Sequence, residues 1–214
     1  MSLDWRRYTL EIGLSDTKAT VVTQGLNIRR GSANIHSVSL QTMNTPTVDM
    51  RVAVNGPLVC VKIGGRACFE AGPSFKTLTD ELCQRGKTQF LFDLTECQQM
   101  DSTLLGLMAG LAIRLAPTSA PAADCAVKLL NVSERIAELL ESVGVDHLFT
   151  ILSDLPLDEA GWEILRADAG AGREKLAQAS LEAHRTLMEL DPGNVPKFKD
   201  VARFLAEDLQ KMKG

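Results

Sequence analysis

The stretch FLFDLTECQQMDSTLLGLMAGLAIRL, residues 90–115, constrains the fold more than any other part of the chain. It opens with Phe90-Leu91-Phe92, a continuous apolar run that reads as a buried strand leading to Asp93. A polar passage, Thr95 to Gln99, reads as a loop. Met100-Asp101-Ser102-Thr103 follows, and then an apolar helix from about Leu104 to Leu115. A helix start leaves backbone N–H groups without partners and carries a partial positive charge, so an oxygen-bearing side chain belongs there. Asp101 or Ser102 can supply it, and the same geometry would stabilise a phosphate on Ser102. The order is strand, polar loop, hydroxyl pair, helix.

The flanking segments extend this into an α/β pattern. Val48 to Val54 alternates, Asn55-Gly56 is a strong hairpin signal, and Leu58 to Ile63 continues as a second strand that Gly64-Gly65 should end. Pro73 starts a helix with Phe75, Leu78 and Leu82 at helical spacing, and Gly86 is placed to cap its end. After the central stretch, Pro117 to Pro121 is a loop and Ala126 to Leu130 a short buried strand. Asn131-Val132-Ser133-Glu134 has the form of a capping box, opening a helix from Arg135 to Val143 with Ile136, Leu139, Leu140 and Val143 on one face. Gly144 stops that helix, and residues 147–152 lead out. Strands alternating with helices predict a largely parallel sheet with helices packed on it, opened by one antiparallel hairpin.

The segment DLTECQQMDSTLLGLMAGL resembles the signature of the STAS family, the anti-sigma-factor antagonists and their relatives. That family has a strand ending in Asp-Leu-Ser/Thr, a short loop, and Asp-Ser-Ser/Thr-Gly-Leu-Gly at a helix start. Asp93, Asp101, Ser102, Thr103, Leu105 and Gly106 stand at matching positions, while Leu104 replaces a family glycine. LVCVKIGGRACFEAGPSF and KLLNVSERIAELLESVGVDHLF are similar to the family's second strand with its helix entry and to its closing strand and helix. Cys68 stands where the family often has an acid. The resemblance implies a STAS-like mixed sheet packed with helices over residues 47–152. It also implies a phosphorylation site at Ser102, with Thr103 as alternative. The partner-binding surface would then comprise Asp93, Thr95, Asp101, Ser102, Thr103, Leu105 and Gly106. The implied partners are an anti-sigma factor or serine protein kinase, with a phosphatase to reset the switch.

The two ends are read from their residues alone. Residues 1–46 hold short alternating runs near Tyr8, Ala19 and Ile35, a turn at Arg30-Gly31-Ser32, and few bulky side chains. They read as an N-terminal extension, either edge strands or a loosely held arm, and His36 within them reads as inert. Residues 153–214 read as a C-terminal helical hairpin. One helix carries Leu176, Ala179, Ala183, Leu187 and Leu190 on a stripe. After the turn Asp191-Pro192-Gly193-Asn194, a second helix groups Phe198, Val201, Leu205, Leu209 and Met212. Those stripes need burial on the central domain, on a second copy to give a homodimer, or on a partner. His184, beside Arg185, reads as part of a solvated face.

Composition then excludes several functions. A formal charge of −4 argues against direct nucleic-acid binding, which needs phosphate-neutralising cations. Five cysteines without C-x-x-C, and no secretory signal, point to reduced thiols in a cytoplasmic protein. The longest apolar run, Leu104 to Leu115, is too short for membrane insertion. Three scattered histidines supply no metal-binding spacing, no Walker or dinucleotide motif implies a cofactor, and none is expected. A nucleophilic cysteine needs a nearby base. Cys68 and Cys97 read as exposed candidates, but His147, the domain's one histidine, reads as packed. The expectation is therefore a non-enzymatic regulatory interaction module. Its alternatives are an unphosphorylated STAS scaffold subunit, pairing with another protein such as a transporter ATPase, and a small-ligand-binding module.

Overall fold

The computed structural model describes residues 48–116, 125–157, 162–165 and 171–213. The expectations for residues 1–46 and for the Pro117 loop lie outside the described residues. Among the described residues the strands form one seven-stranded sheet. Strands β1 (Asp49–Asn55) and β2 (Leu58–Ala67) make the antiparallel hairpin, turning at Gly56-Pro57 with Asn55 opposite Leu58. Strands β3 (Gln89–Asp93), β5 (Val127–Leu130) and β6 (Thr150–Leu152) add in parallel beside β2. The path is β6-β5-β3-β2-β1-β7, where β7 (Glu163–Leu165) closes the β1 edge antiparallel, and β4 (Cys97–Met100) pairs with the end of β2.

Because β2, β3, β5 and β6 step across the sheet in one direction, right-handed crossovers put their connecting helices on one face. These are α1 (Gly72–Gln84), α2 (Ser102–Leu115) and α3 (Glu134–Ser142). Alternate strand residues follow suit. Val59, Val61, Ile63, Phe90, Phe92, Val127 and Leu129 join the helices' apolar side chains in the main core. Cys60, Leu91 and Leu130 face the other way, where Leu157 and Trp162 cover them.

Several local expectations change. Gly64-Gly65 does not end β2. Gly65 adopts φ +72° and the register with β4 slips at Gly65/Arg66, a bulge that re-aims the strand so that Ala67 pairs with Met100. That extension turns Cys97 to Gln99, expected within a loop, together with Met100, into a strand. The capping box does not form. Asn131 takes a left-handed conformation at φ +55°, and Ser133, without a side-chain cap bond, precedes α3. His147 is exposed rather than packed.

The C-terminal helices are α4 (Arg173–Leu190) and α5 (Val195–Lys213), joined by a short turn at Pro192–Asn194. Helix α4 packs along α2, with Ala179, Ala183 and Leu187 in the main core. Helix α5 packs on α4 through a separate cluster of Ala177, Leu181, Ala202 and Leu209. Of the α4 stripe, Ala179, Ala183 and Leu187 are buried within the chain and Leu176 and Leu190 partly so, and α5 is buried through Ala202 and Leu209. Val201, expected on the inner face of α5, is exposed, and Ala202 takes its place.

Candidate functional site

The N-terminus of α2 is built by Asp101. It holds extended backbone angles as the N-cap, and its Oδ1 accepts from the Leu104 N–H at 3.0 Å. Its Oδ2 accepts from the Phe69 N–H at 2.7 Å, tying α2 to the segment that follows β2. Burial pushes the Asp101 carboxyl above the usual carboxylate range, and the N–H groups of Leu104, Phe69 and Thr103 pull it back part of the way. Ser102 is therefore the first helical residue and not the cap. Leu104 explains its own departure from the family pattern. Its side chain is 0% exposed in the core, while its N–H is consumed by Asp101.

Ser102 is half-buried, and its Oγ lies 3.0 Å from Nε2 of His184 on α4. Its neighbour Thr103 is buried, with Oγ1 at 3.3 Å from the Ser180 hydroxyl, one helical turn before His184. His184 is not on a solvated face. It is 7% exposed and stacks on Phe198 of α5, with ring centroids 4.9 Å apart. The helix is buried on two sides, against α2 and against α5, so no single solvated face exists at that position. Its Nδ1 is sealed from water and faces the Ser180 backbone of its own helix. Burial holds the imidazole below its usual pKa, although Asp101 and the Ser180 backbone favour the charged form.

Gly106, one turn further along α2, touches the backbone of α4. A Cβ added there would lie 2.6 Å from the Ala183 carbonyl oxygen, a distance no side chain can occupy. Leu105 points the other way, 0% exposed in the core, so it supports the helix and cannot present a contact surface.

Asp93 and Thr95 form a second group at the ends of β3 and β5. Asp93 is buried and accepts from the Thr95 N–H at 3.0 Å and from the Thr95 hydroxyl. Asn131 Nδ2 donates to Thr95 Oγ1 at 2.8 Å, and the Asp154 N–H donates to Asn131 Oδ1 at 3.1 Å. The predicted residues thus divide into a β-strand-end group and a helix-start group. His184 and Ser180 belong with the second and were missed. A usable signal existed in the small residues Ala179, Ser180 and Ala183, which match Gly106 and Gly110 on α2.

Cys60, Cys68, Cys83 and Cys97 are not activated thiols. Cys97 is buried, not exposed, and burial raises its pKa. Burial followed by the Asp93 charge pushes Cys60 up to about 12, and burial also raises Cys68 and Cys83. A nucleophile needs the opposite shift. Among the described residues no group of three or more His, Cys, Asp or Glu is arranged around a metal, and no helix is long and apolar enough to cross a membrane.

Comparison with known proteins fits this architecture. The STAS domain description matches residues 49–157. No curated protein sequence matches the chain. Among solved structures, the Bacillus cell fate determinant SpoIIAA in its phosphorylated form is similar at 17% identity and a TM-score of 0.39, over 48% of this chain and 89% of its own. The protein TM1081, solved by NMR, is similar at 17% identity and a TM-score of 0.40, over 57% of this chain and 89% of its own. With the family's domain spanning strands β1 to β6 and the α2 helix start, the chain belongs to the STAS family.

Proposed function

We propose that this chain is a non-enzymatic regulatory module of the anti-sigma-factor-antagonist kind, acting in the cytoplasm and switched by phosphorylation of Ser102. The observation that carries the reading is the placement of Ser102 as the first residue of α2, directly after the Asp101 cap, in a STAS domain. A serine kinase transfers the terminal phosphoryl group of a nucleoside triphosphate to Ser102 Oγ. The hydroxyl proton leaves and nucleoside diphosphate is released. The phosphate adds about −1.5 to −2 charges beside Asp101. The positive end of α2 offsets part of this within the domain. An anti-sigma factor docked around Asp101 and Ser102, reaching Thr103 and Gly106 once α4 has left that face and drawing on Asp93 and Thr95 at the strand ends, gains no such relief and dissociates. A phosphatase restores binding. Thr103, buried against Ser180, is the weaker acceptor.

A second reading is favoured by the His184 contact. With Ser102 already engaged inside the chain, the domain would serve as an unphosphorylated scaffold subunit, pairing permanently with another protein such as a transporter ATPase. Intact-mass measurement and peptide mapping of the protein isolated from its own cells separate the two. The switch predicts a phosphoform on the peptide containing Ser102. An unmodified chain that carries a stoichiometric partner overturns it in favour of the scaffold.

A further inference from the structure

We infer that the α4–α5 hairpin is an in-chain occupant of the α2 face, and that Ser102 becomes available to a modifying enzyme or partner only when the hairpin lifts. The functional consequence rests on the regulatory reading of Ser102, whereas the blockage rests on geometry alone. Helix α4 runs alongside α2 in the same direction. Thr103 faces Ser180, Gly106 faces Ala183, and a Cβ on Gly110 would meet the Thr186 side chain at 3.8 Å. At Gly106 the two backbones touch, so nothing else can share that face with α4. At Ser102 the 3.0 Å separation from His184 Nε2 holds a hydrogen and no more. While α4 is docked, a phosphoryl group cannot lie on the His184 side of Ser102 Oγ.

The contact is also built to open. The residues that α4 sets against α2 include the small or polar Ser180, Ala183, His184 and Thr186, while Ala179 meets Gly72 at the start of α1. Of its large apolar side chains, Leu187 alone is fully buried in the main core. Helix α5 rides on α4 through its own cluster, so the two helices have a shared core to keep when they leave. Against this, Lys76 pairs with Glu182 at 2.8 Å, and Lys197 and Asn194 donate to the Ser142 and Val143 carbonyls. These are polar latches at the rim and turn, which release without leaving a large cavity.

The test uses the full chain with Ser102→Cys, and measures how fast a maleimide labels position 102, assigned by peptide mass. Two further changes move the hairpin in opposite directions. Ala183→Glu places a charge where the backbones touch and should lift it, raising labelling about tenfold or more. Gly110→Cys with Thr186→Cys, oxidised to a disulfide, should clamp it and lower labelling about tenfold or more relative to the same protein reduced. Equal rates in clamped and reduced protein overturn the inference. If Ala183→Glu unfolds the chain, seen as loss of the cooperative unfolding transition, the clamp alone decides. No kinase or phosphate enters this assay. A missing phosphoform in cells would defeat the switch while leaving the blockage standing, and equal labelling would do the reverse.

Discussion

The two sides of α2 are built by different rules. The side facing the sheet carries Leu104, Leu105 and Met108, all 0% exposed and packed in the core with Phe75, Phe90 and Phe92. The side facing the hairpin carries Thr103, Gly106 and Gly110, which meet Ser180, Ala183 and Thr186. One side is held by large apolar side chains, each worth about 1.5–3 kcal/mol when buried. The other is held by close backbone approach, a few hydrogen bonds, the buried Leu187 and the partly buried Leu190 and Phe198. The difference teaches that one helix can anchor a fold with one face and offer a releasable seat with the other.

The comparison can be broken from its strong side first. Phe92→Ala empties the middle of the core and should cost about 3–5 kcal/mol of global stability, read by urea denaturation. A cost below about 1 kcal/mol would mean that the sheet side is not the anchor. Gly106→Leu forces a side chain into the Ala183 backbone, an overpacking worth about 1–3 kcal/mol. It should act locally, speeding hydrogen exchange in α4 while β3 and β5 keep their protection. Equal loss in both would show that the hairpin and the core unfold together.

Asn194→Ala sharpens the comparison at the turn. The Asn194 amide is fully buried and donates to Val143 O at 2.8 Å and Leu187 O at 3.0 Å. Removing it leaves the buried Val143 carbonyl short of a donor, while Leu187 O keeps the Asp191 N–H, and about 1–3 kcal/mol should be lost from hairpin docking, again without touching β3 exchange. The smallest effect is that of pH. His184 is held below its ordinary value of 6.5, so the docked chain binds fewer protons than the undocked one in the window between the two pKa values. Docking is therefore at full strength above about pH 6.5 and weakens as pH falls through that window. Exchange in α4, corrected for intrinsic rates, should be faster at about pH 5.5 than at about pH 7.5. No change, or the opposite sign, would mean that the ring does not titrate against docking.

The parts of this molecule that are readable in the sequence are those governed by local pattern. Phe90 to Phe92, the Asp101 cap and the apolar α2 announce strand, loop and helix because periodicity and capping act within a few residues. Residues Cys97 to Met100 carry no such pattern. They become β4 because the Gly65 bulge carries β2 far enough to pair with them, a condition set by a segment some thirty residues away. The Asn131 box failed for a similar reason. Its side chain is drawn off to Thr95 and Asp154, which bring the ends of β3 and the chain after β6 together. His184 was illegible because a single apolar stripe presumes one buried face, whereas α4 is covered by α2 on one side and by α5 on the other. Its role at Ser102 depends on helix contacts spanning 82 residues.

The most direct measurement is native-state hydrogen exchange of the unmodified full chain across a range of denaturant below its unfolding transition. If the hairpin is a releasable occupant of α2, amides of α4 and α5 exchange through an opening of lower free energy and weaker denaturant dependence than amides of β3 and β5. If all four elements instead merge into a single global opening with one free energy, the hairpin is an inseparable part of the fold and the claim that it gates Ser102 is contradicted.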